Sequence, residues 1–146
     1  SYHCVSDGPW VERRIGRERA HTGAYAWRAL LQSGATIAWG TDTPVEREDP
    51  IAGFYAFVTR RMADGRRFHP EQSIARLEAL RAMTRDAAAA AGLEGIVGSI
   101  RPGMKADLVV LDADPLTVPE DRIPSLRVLM TIFDGRVVHD STGRGS

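Results

Sequence analysis

The apolar run Ala35-Thr36-Ile37-Ala38-Trp39 leads directly into Gly40-Thr41-Asp42-Thr43-Pro44-Val45. Residues 36–39 are short, apolar at successive positions and β-favouring, which predicts a strand buried on both faces. The glycine and proline on either side of Asp42 then break it. A buried strand with a carboxylate at its C-terminal end is how an α/β barrel presents a catalytic group to its pocket. The alternative for Asp42 is a carboxylate that caps a turn, since Asp followed by Thr-Pro commonly initiates one.

The segments around this strand repeat an α/β alternation. Residues 2–5 read as a short extended segment and 6–17 as a polar loop. Over 18–33, Ala20, Ala24, Trp27, Leu30 and Leu31 recur at spacings of three and four, predicting one amphipathic helix closed by Gly34. A second helix is expected over 51–62. A third, capped by Ser73, runs to Met83, and a fourth, capped by Thr84, covers 85–91 and stops at Gly92. From there the composition changes. Gly95, Gly98, Pro102 and Gly103 precede a β-forming run at 107–111, and Pro115, Pro119 and Pro124 are expected to keep the next connector out of helix. Residues 128–133 and 136–139 flank Asp134-Gly135, a strong signal for a two-residue hairpin turn. A boundary is expected near 92–97, mostly α/β before it and mostly β after it.

The 146 residues suffice for an ordinary core, and 43% hydrophobic with 26% charged residues is a globular composition. Nineteen basic and nineteen acidic residues cancel, so charge gives no reason to expect nucleic acid or an anionic membrane as partner. No apolar run approaches the roughly 18 residues of a membrane-spanning helix. The single cysteine, Cys4, excludes an internal disulfide and suits a reducing, cytoplasmic setting.

Several motifs, in order along the chain, resemble the metal-dependent amidohydrolase superfamily, in its amidohydrolase family 3 branch. His3, Ser6-Asp7, Trp10 and Arg14-Ile15-Gly16 resemble the segment after the seventh barrel strand. Gly40-Thr41-Asp42-Thr43-Pro44-Val45 is similar to the family's Gly-Ser-Asp-x-Pro-Val after the eighth, with Thr41 in place of Ser. The stretch from Gly98-Ser99-Ile100-Arg101-Pro102-Gly103 to Ala106-Asp107-Leu108-Val109-Val110-Leu111 resembles the return of the chain to a small β-sandwich. Val128-Leu129-Met130-Thr131-Ile132-Phe133-Asp134-Gly135-Arg136-Val137-Val138 resembles that sandwich's closing hairpin.

The resemblance implies an α/β fold: the C-terminal part of a (β/α)8 TIM barrel, strands 7–8 and the following helices, over 1–94. Part of a composite β-sandwich would follow over 95–140; residues 141–146, small and polar, read by their composition as a flexible tail. It implies hydrolysis of a non-peptide carbon–nitrogen bond in a small amide-type substrate, with a divalent metal, zinc, as cofactor. Asp42 would be both general base and metal ligand, and His3 would bind substrate. The family's His-x-His pair is absent from this sequence, whose four histidines are His3, His21, His69 and His139. The chain is therefore expected to need the remainder of the barrel, and a homo-oligomer is possible. The competing expectation is a non-catalytic fragment or interaction module without a complete metal site.

Read from their sequence surroundings, the other candidates have plainer roles. His3 is open between substrate binding and a structural hydrogen bond, and Asp7 and Trp10 are expected to pack their loop. His69 is expected at the surface, and His21 and His139 are expected to be structural. Cys4 reads as a small buried residue. Glu46, Glu48 and Asp49 read as a solvated acidic loop, because their spacing does not match an EF-hand.

Overall fold

The computed structural model describes residues 1–143. It contains seven short α-helices and one three-stranded antiparallel sheet among those residues. Of the tail expected over 141–146, residues 144–146 lie outside the described residues.

The front of the chain departs from expectation. His3–Ser6 form one helical turn, α1, rather than an extended segment, and Val11–Ile15 form α2 inside the expected loop. The helix expected over 18–33 is two helices, α3 (Arg17–Gly23) and α4 (Trp27–Gln32). The break falls at Tyr25, whose φ of 53° is left-handed. Tertiary contacts hold this bulky residue there. Its carbonyl accepts from Arg60 Nη1 at 2.9 Å and its hydroxyl donates to the Asp7 carboxylate. Gly34, with φ 87°, closes α4: its N–H donates to Leu31 O while Ala35 N–H donates to Leu30 O, the paired bonds of a Schellman end.

Residues 36–39 do not form a laddered strand. Thr36 and Ala38 are exposed, and Ile37 and Trp39 are half-buried, so burial alternates instead of covering both faces. The physical reason is that no neighbouring strand pairs with the segment among the described residues; Trp39 N–H donates instead to Ala82 O at 2.9 Å.

The core is organised around α5 (Pro50–Thr59). Asp49 caps it, accepting from Ala52 N–H at 3.0 Å, and Pro50 occupies the first turn, where its missing N–H is not needed. Phe54, Ala56 and Phe57 of α5 are buried with Cys4, Val11, Trp27 and Phe68. Arg60, at 0% exposure, ends the helix with φ 53°. It donates to Phe68 O and Tyr25 O, and its guanidinium lies 4.6 Å from the Trp27 ring centroid. Burial holds its pKa below the ordinary arginine value.

Next come α6 (Arg76–Met83) and α7 (Arg85–Ala90). The residue at the start of α6 is Ala75, not Ser73. Glu78 reaches back to accept from Ala75 N–H at 2.6 Å, while the Ser73 hydroxyl donates to Pro70 O. Arg28 of α4 grips Glu78 with both terminal nitrogens, at 3.0 and 2.7 Å, and this holds the Glu78 carboxyl below its usual range.

The sheet follows expectation closely. It comprises β1 (Leu108–Leu111), β2 (Val128–Phe133) and β3 (Arg136–Asp140), in the order β1-β2-β3. Leu108 faces Ile132 and Phe133 faces Arg136. Asp134 and Gly135 both have positive φ, 48° and 78°, the signature of the tight turn that an Asp-Gly pair favours. The connector between β1 and β2 is not free of helix, because Glu120–Ser125 form a 3-10 helix. The hydrogen bonds at its two ends come from Arg122 N–H and Leu126 N–H, none is asked of Pro124, and it inserts the fully buried Ile123 into the core beside α5. Among the described residues, no helix is long and apolar enough to cross a membrane.

Candidate active site

Two chain segments build the site. The first is α1, which carries His3. The second is the turn after Trp39, where Val45 N–H and Glu46 N–H both donate to Asp42 O, at 2.8 and 3.1 Å. Asp42 itself adopts φ 62°, a left-handed conformation that Asp tolerates better than most residues. The main-chain oxygen of Asp42 therefore organises the turn, and its carboxylate is left for other use. That differs from the capping role open to it in the sequence.

The Asp42 carboxylate faces the His3 ring, with Oδ2 at 2.9 Å from Nε2. On the opposite side of that ring, Nδ1 lies 3.0 Å from Glu46 Oε1 and 3.5 Å from Asp7 Oδ2. Asp42 and Glu46, four residues apart on one turn, thus clasp the imidazole between them. A neutral ring donates from one nitrogen only, so a single proton on His3 cannot serve both carboxylates at once. Further contacts fix the acids: the Ser6 hydroxyl donates to Glu46 and the Tyr25 hydroxyl to Asp7. Burial, then the bond to Asp7, raises the Tyr25 pKa above its ordinary value, so the phenol stays a donor. Asp42 is the open end of the cluster, with 62% of its side chain exposed against 11% for Glu46.

The structure brings the two sequence candidates, Asp42 and His3, into direct contact. It also adds Glu46, which the sequence assigned to a solvated loop. The available signal was the spacing of four across a turn, but what buries Glu46 is α1, some forty residues away. Asp7 joins the cluster too. Trp10 lies outside it, 43% exposed, with the Arg14 guanidinium 5.4 Å from its ring centroid. Cys4 is fully buried, and burial pushes its thiol up to about 12, which suits an inert core residue. His69 is not at the surface, since 14% of its side chain is exposed; it lies beside His21, and His139 is on β3.

A divalent metal is compatible with these donors. His3, Asp7 and Glu46 place ligand atoms within 4.8 Å of one another, and imidazole with carboxylate is a usual zinc donor set. Asp42 adds an exposed carboxylate oxygen at the same ring.

The amidohydrolase family's sequence profile matches residues 1–139. The chain belongs to the amidohydrolase family. This agrees with the family 3 branch read from the sequence motifs. The amidohydrolase chain is 31% identical over 144 residues to YtcJ of Bacillus subtilis (strain 168), covering 97% of itself and 27% of that protein. It is 30% identical over 128 residues to an N-substituted formamide deformylase of Arthrobacter pascens, covering 88% of itself and 24% of the relative. Among solved structures it is similar to an uncharacterized metal-dependent hydrolase from Pyrococcus furiosus. The TM-score is 0.66 at 32% identity, over 80% of this chain and 23% of that one. The amidohydrolase chain thus spans about a quarter of the length of the curated relatives it matches.

Packing behind the site yields one expected outcome. Trp39 lies three residues before Asp42, and its ring covers Gly53 of α5 so closely that a Cβ there would meet Trp39 Cζ2 at 2.7 Å. Gly53→Ala is expected to destabilise the protein by about 1–3 kcal/mol, the usual cost of overpacking. Denaturant melts of the two proteins check it, and equal midpoints would mean the Trp39 ring moves freely.

Proposed function

We propose that this chain is the C-terminal portion of a metal-dependent amidohydrolase that cleaves non-peptide carbon–nitrogen bonds in small amide-type substrates. In this reading residues 1–94 complete a (β/α)8 barrel and 95–140 belong to a composite β-sandwich. The observation that carries it is the exposed Asp42 carboxylate, displayed beyond residues 35–39 and held 2.9 Å from His3. The half-buried alternation of residues 36–39 suits a strand whose partners come from the rest of the barrel.

Asp42 would hold the metal, zinc, together with ligands outside this chain. Once bound, the cation supplies Lewis acidity at the scissile carbonyl. Asp42 Oδ2 takes the proton of the attacking water and passes it to the departing nitrogen, as a single base serving both halves of the reaction. His3 lines the substrate side of the site beside Asp42, its ring flanked at Nδ1 by Glu46 and Asp7. The name of the Arthrobacter relative favours N-substituted formamides as the first substrates to try.

The test is hydrolysis of a panel of small amides, N-substituted formamides included, by the full-length protein before and after chelation. Turnover should vanish with the chelator and return with zinc. Turnover indifferent to chelation removes this reading. One observation favours a non-catalytic interaction module instead: an open apolar groove of about 1000 Å³ lined by Leu80, Ile100, Val110 and Ile132. Absence of any turnover in fully metal-loaded protein would support it.

A further inference from the structure

We propose that His21, His69 and Glu71 form a second divalent transition-metal site, sharing no residue with the cluster around Asp42. His21 is in the last turn of α3, whereas His69 and Glu71 flank Pro70 at the start of the 3-10 helix Pro70–Gln72. Three ligand atoms converge from these two segments. Nδ1 of His21 lies 3.4 Å from Nδ1 of His69, and Glu71 Oε1 is 3.6 Å from the first and 3.5 Å from the second.

This nearly equilateral triangle has the size a tetrahedral ion requires. Ligand bonds of about 2.1 Å, typical of zinc to imidazole and carboxylate, separate neighbouring ligand atoms by about 3.4 Å. The fourth corner remains for water or a small ligand, and His69 and Glu71 also line a cleft of about 390 Å³ with Glu12, Arg13 and Phe68. Two imidazoles and one carboxylate select zinc, cobalt or nickel over the oxygen-seeking magnesium and calcium.

A second, independent observation concerns the far side of the His69 ring. Its Nε2 is buried and has no hydrogen-bond partner among the described residues, and the Glu12 carboxylate stands 3.8 Å away. A histidine that gives its Nδ1 lone pair to a metal carries its proton on Nε2 and usually directs it to such a carboxylate. The ring is also held: Phe68 packs edge-on at 4.2 Å between centroids, and His69 has the left-handed φ of 44°. A bare ring-to-ring hydrogen bond at 3.4 Å accounts for neither Glu71 nor the stranded Nε2. Of the nearby positive charge, Arg66 pairs with Asp64 at 2.8 Å and Arg67 with Glu120 at 2.6 Å.

The test is cobalt(II) titration of the full-length, metal-free protein, read as the difference between the wild type and His21→Ala, so that cobalt held by Asp42 and the ligands outside this chain cancels. One equivalent with the intense visible absorption of tetrahedral cobalt is expected, displaced by zinc and not by magnesium or calcium. His21→Ala or Glu71→Gln should weaken that one equivalent at least about 100-fold, the upper end of what loss of an outer-shell partner alone costs. His21 is 63% exposed at a helix end, and unchanged circular dichroism of the metal-free variants checks that they fold. Equal cobalt stoichiometry and equal tetrahedral absorption in the wild type and His21→Ala overturn the proposal.

Discussion

Asp42→Asn is expected to lower kcat for amide hydrolysis by about 10²–10⁴-fold, the usual contribution of a positioned general base. The substitution is well matched to the question. Asparagine keeps the shape of the side chain and can still face His3 Nε2, but it cannot take up the proton of the attacking water. Asparagine also tolerates the left-handed φ of 62° at this position, so the turn that organises the site should survive. Glu46→Gln is the informative comparison, because Glu46 touches His3 and Ser6 while Asp42 is open to solvent. If Glu46 positions His3, its loss should be the smaller of the two and should be felt in KM as well as kcat. Near wild-type kcat in Asp42→Asn, together with a collapse in Glu46→Gln, would move the base to Glu46.

How much of this was legible in the sequence depended on how local the determining interaction is. The β2–β3 hairpin was readable almost to the residue, because the Asp134-Gly135 turn fixes register from two adjacent residues. The start of α5 was legible to within one residue, although its cap, Asp49, reads in sequence as part of a solvated loop. The break between α3 and α4 was not. Ala24 and Trp27 keep a helical spacing across it, and only the distant Arg60 and Asp7 hold Tyr25 in a left-handed conformation. Residues 36–39 show a related effect, since an apolar run specifies burial without specifying which chain segment provides it.

The site divided along the same line. Asp42 stood out through its own neighbours, Gly40 and Pro44. Glu46 and His69 looked solvated because what encloses them is remote in sequence: α1 for the first, and for the second Glu12, more than fifty residues away. His21 and His69, forty-eight positions apart, carry no spacing that marks them as a pair. Pairings made by tertiary folding leave little trace in a single sequence, whereas turns and caps leave a clear one.

Phe57→Ala is expected to destabilise the protein by about 3–5 kcal/mol, the range for truncating a buried aromatic residue. Phe57 is 2% exposed, and its ring meets Trp27 edge-on at 4.7 Å between centroids. Trp27 in turn lies under the Arg60 guanidinium, so the cavity would open beneath a buried charge as well as beside an aromatic ring. The helix also carries the site. Ala56 O, one residue earlier, accepts from Cys4 Sγ, and Cys4 adjoins His3. Phe57→Leu, which keeps most of the volume, should cost less than half as much. Guanidinium melts of the two variants against wild type measure the difference. A cost below about 1 kcal/mol for the alanine variant would mean that the core collapses around the gap, and α5 would then not be the element that holds α1 and α4 together. A full cost with zinc-dependent turnover preserved at low temperature would separate the two functions of α5, showing that Phe57 supports the fold without setting the position of His3.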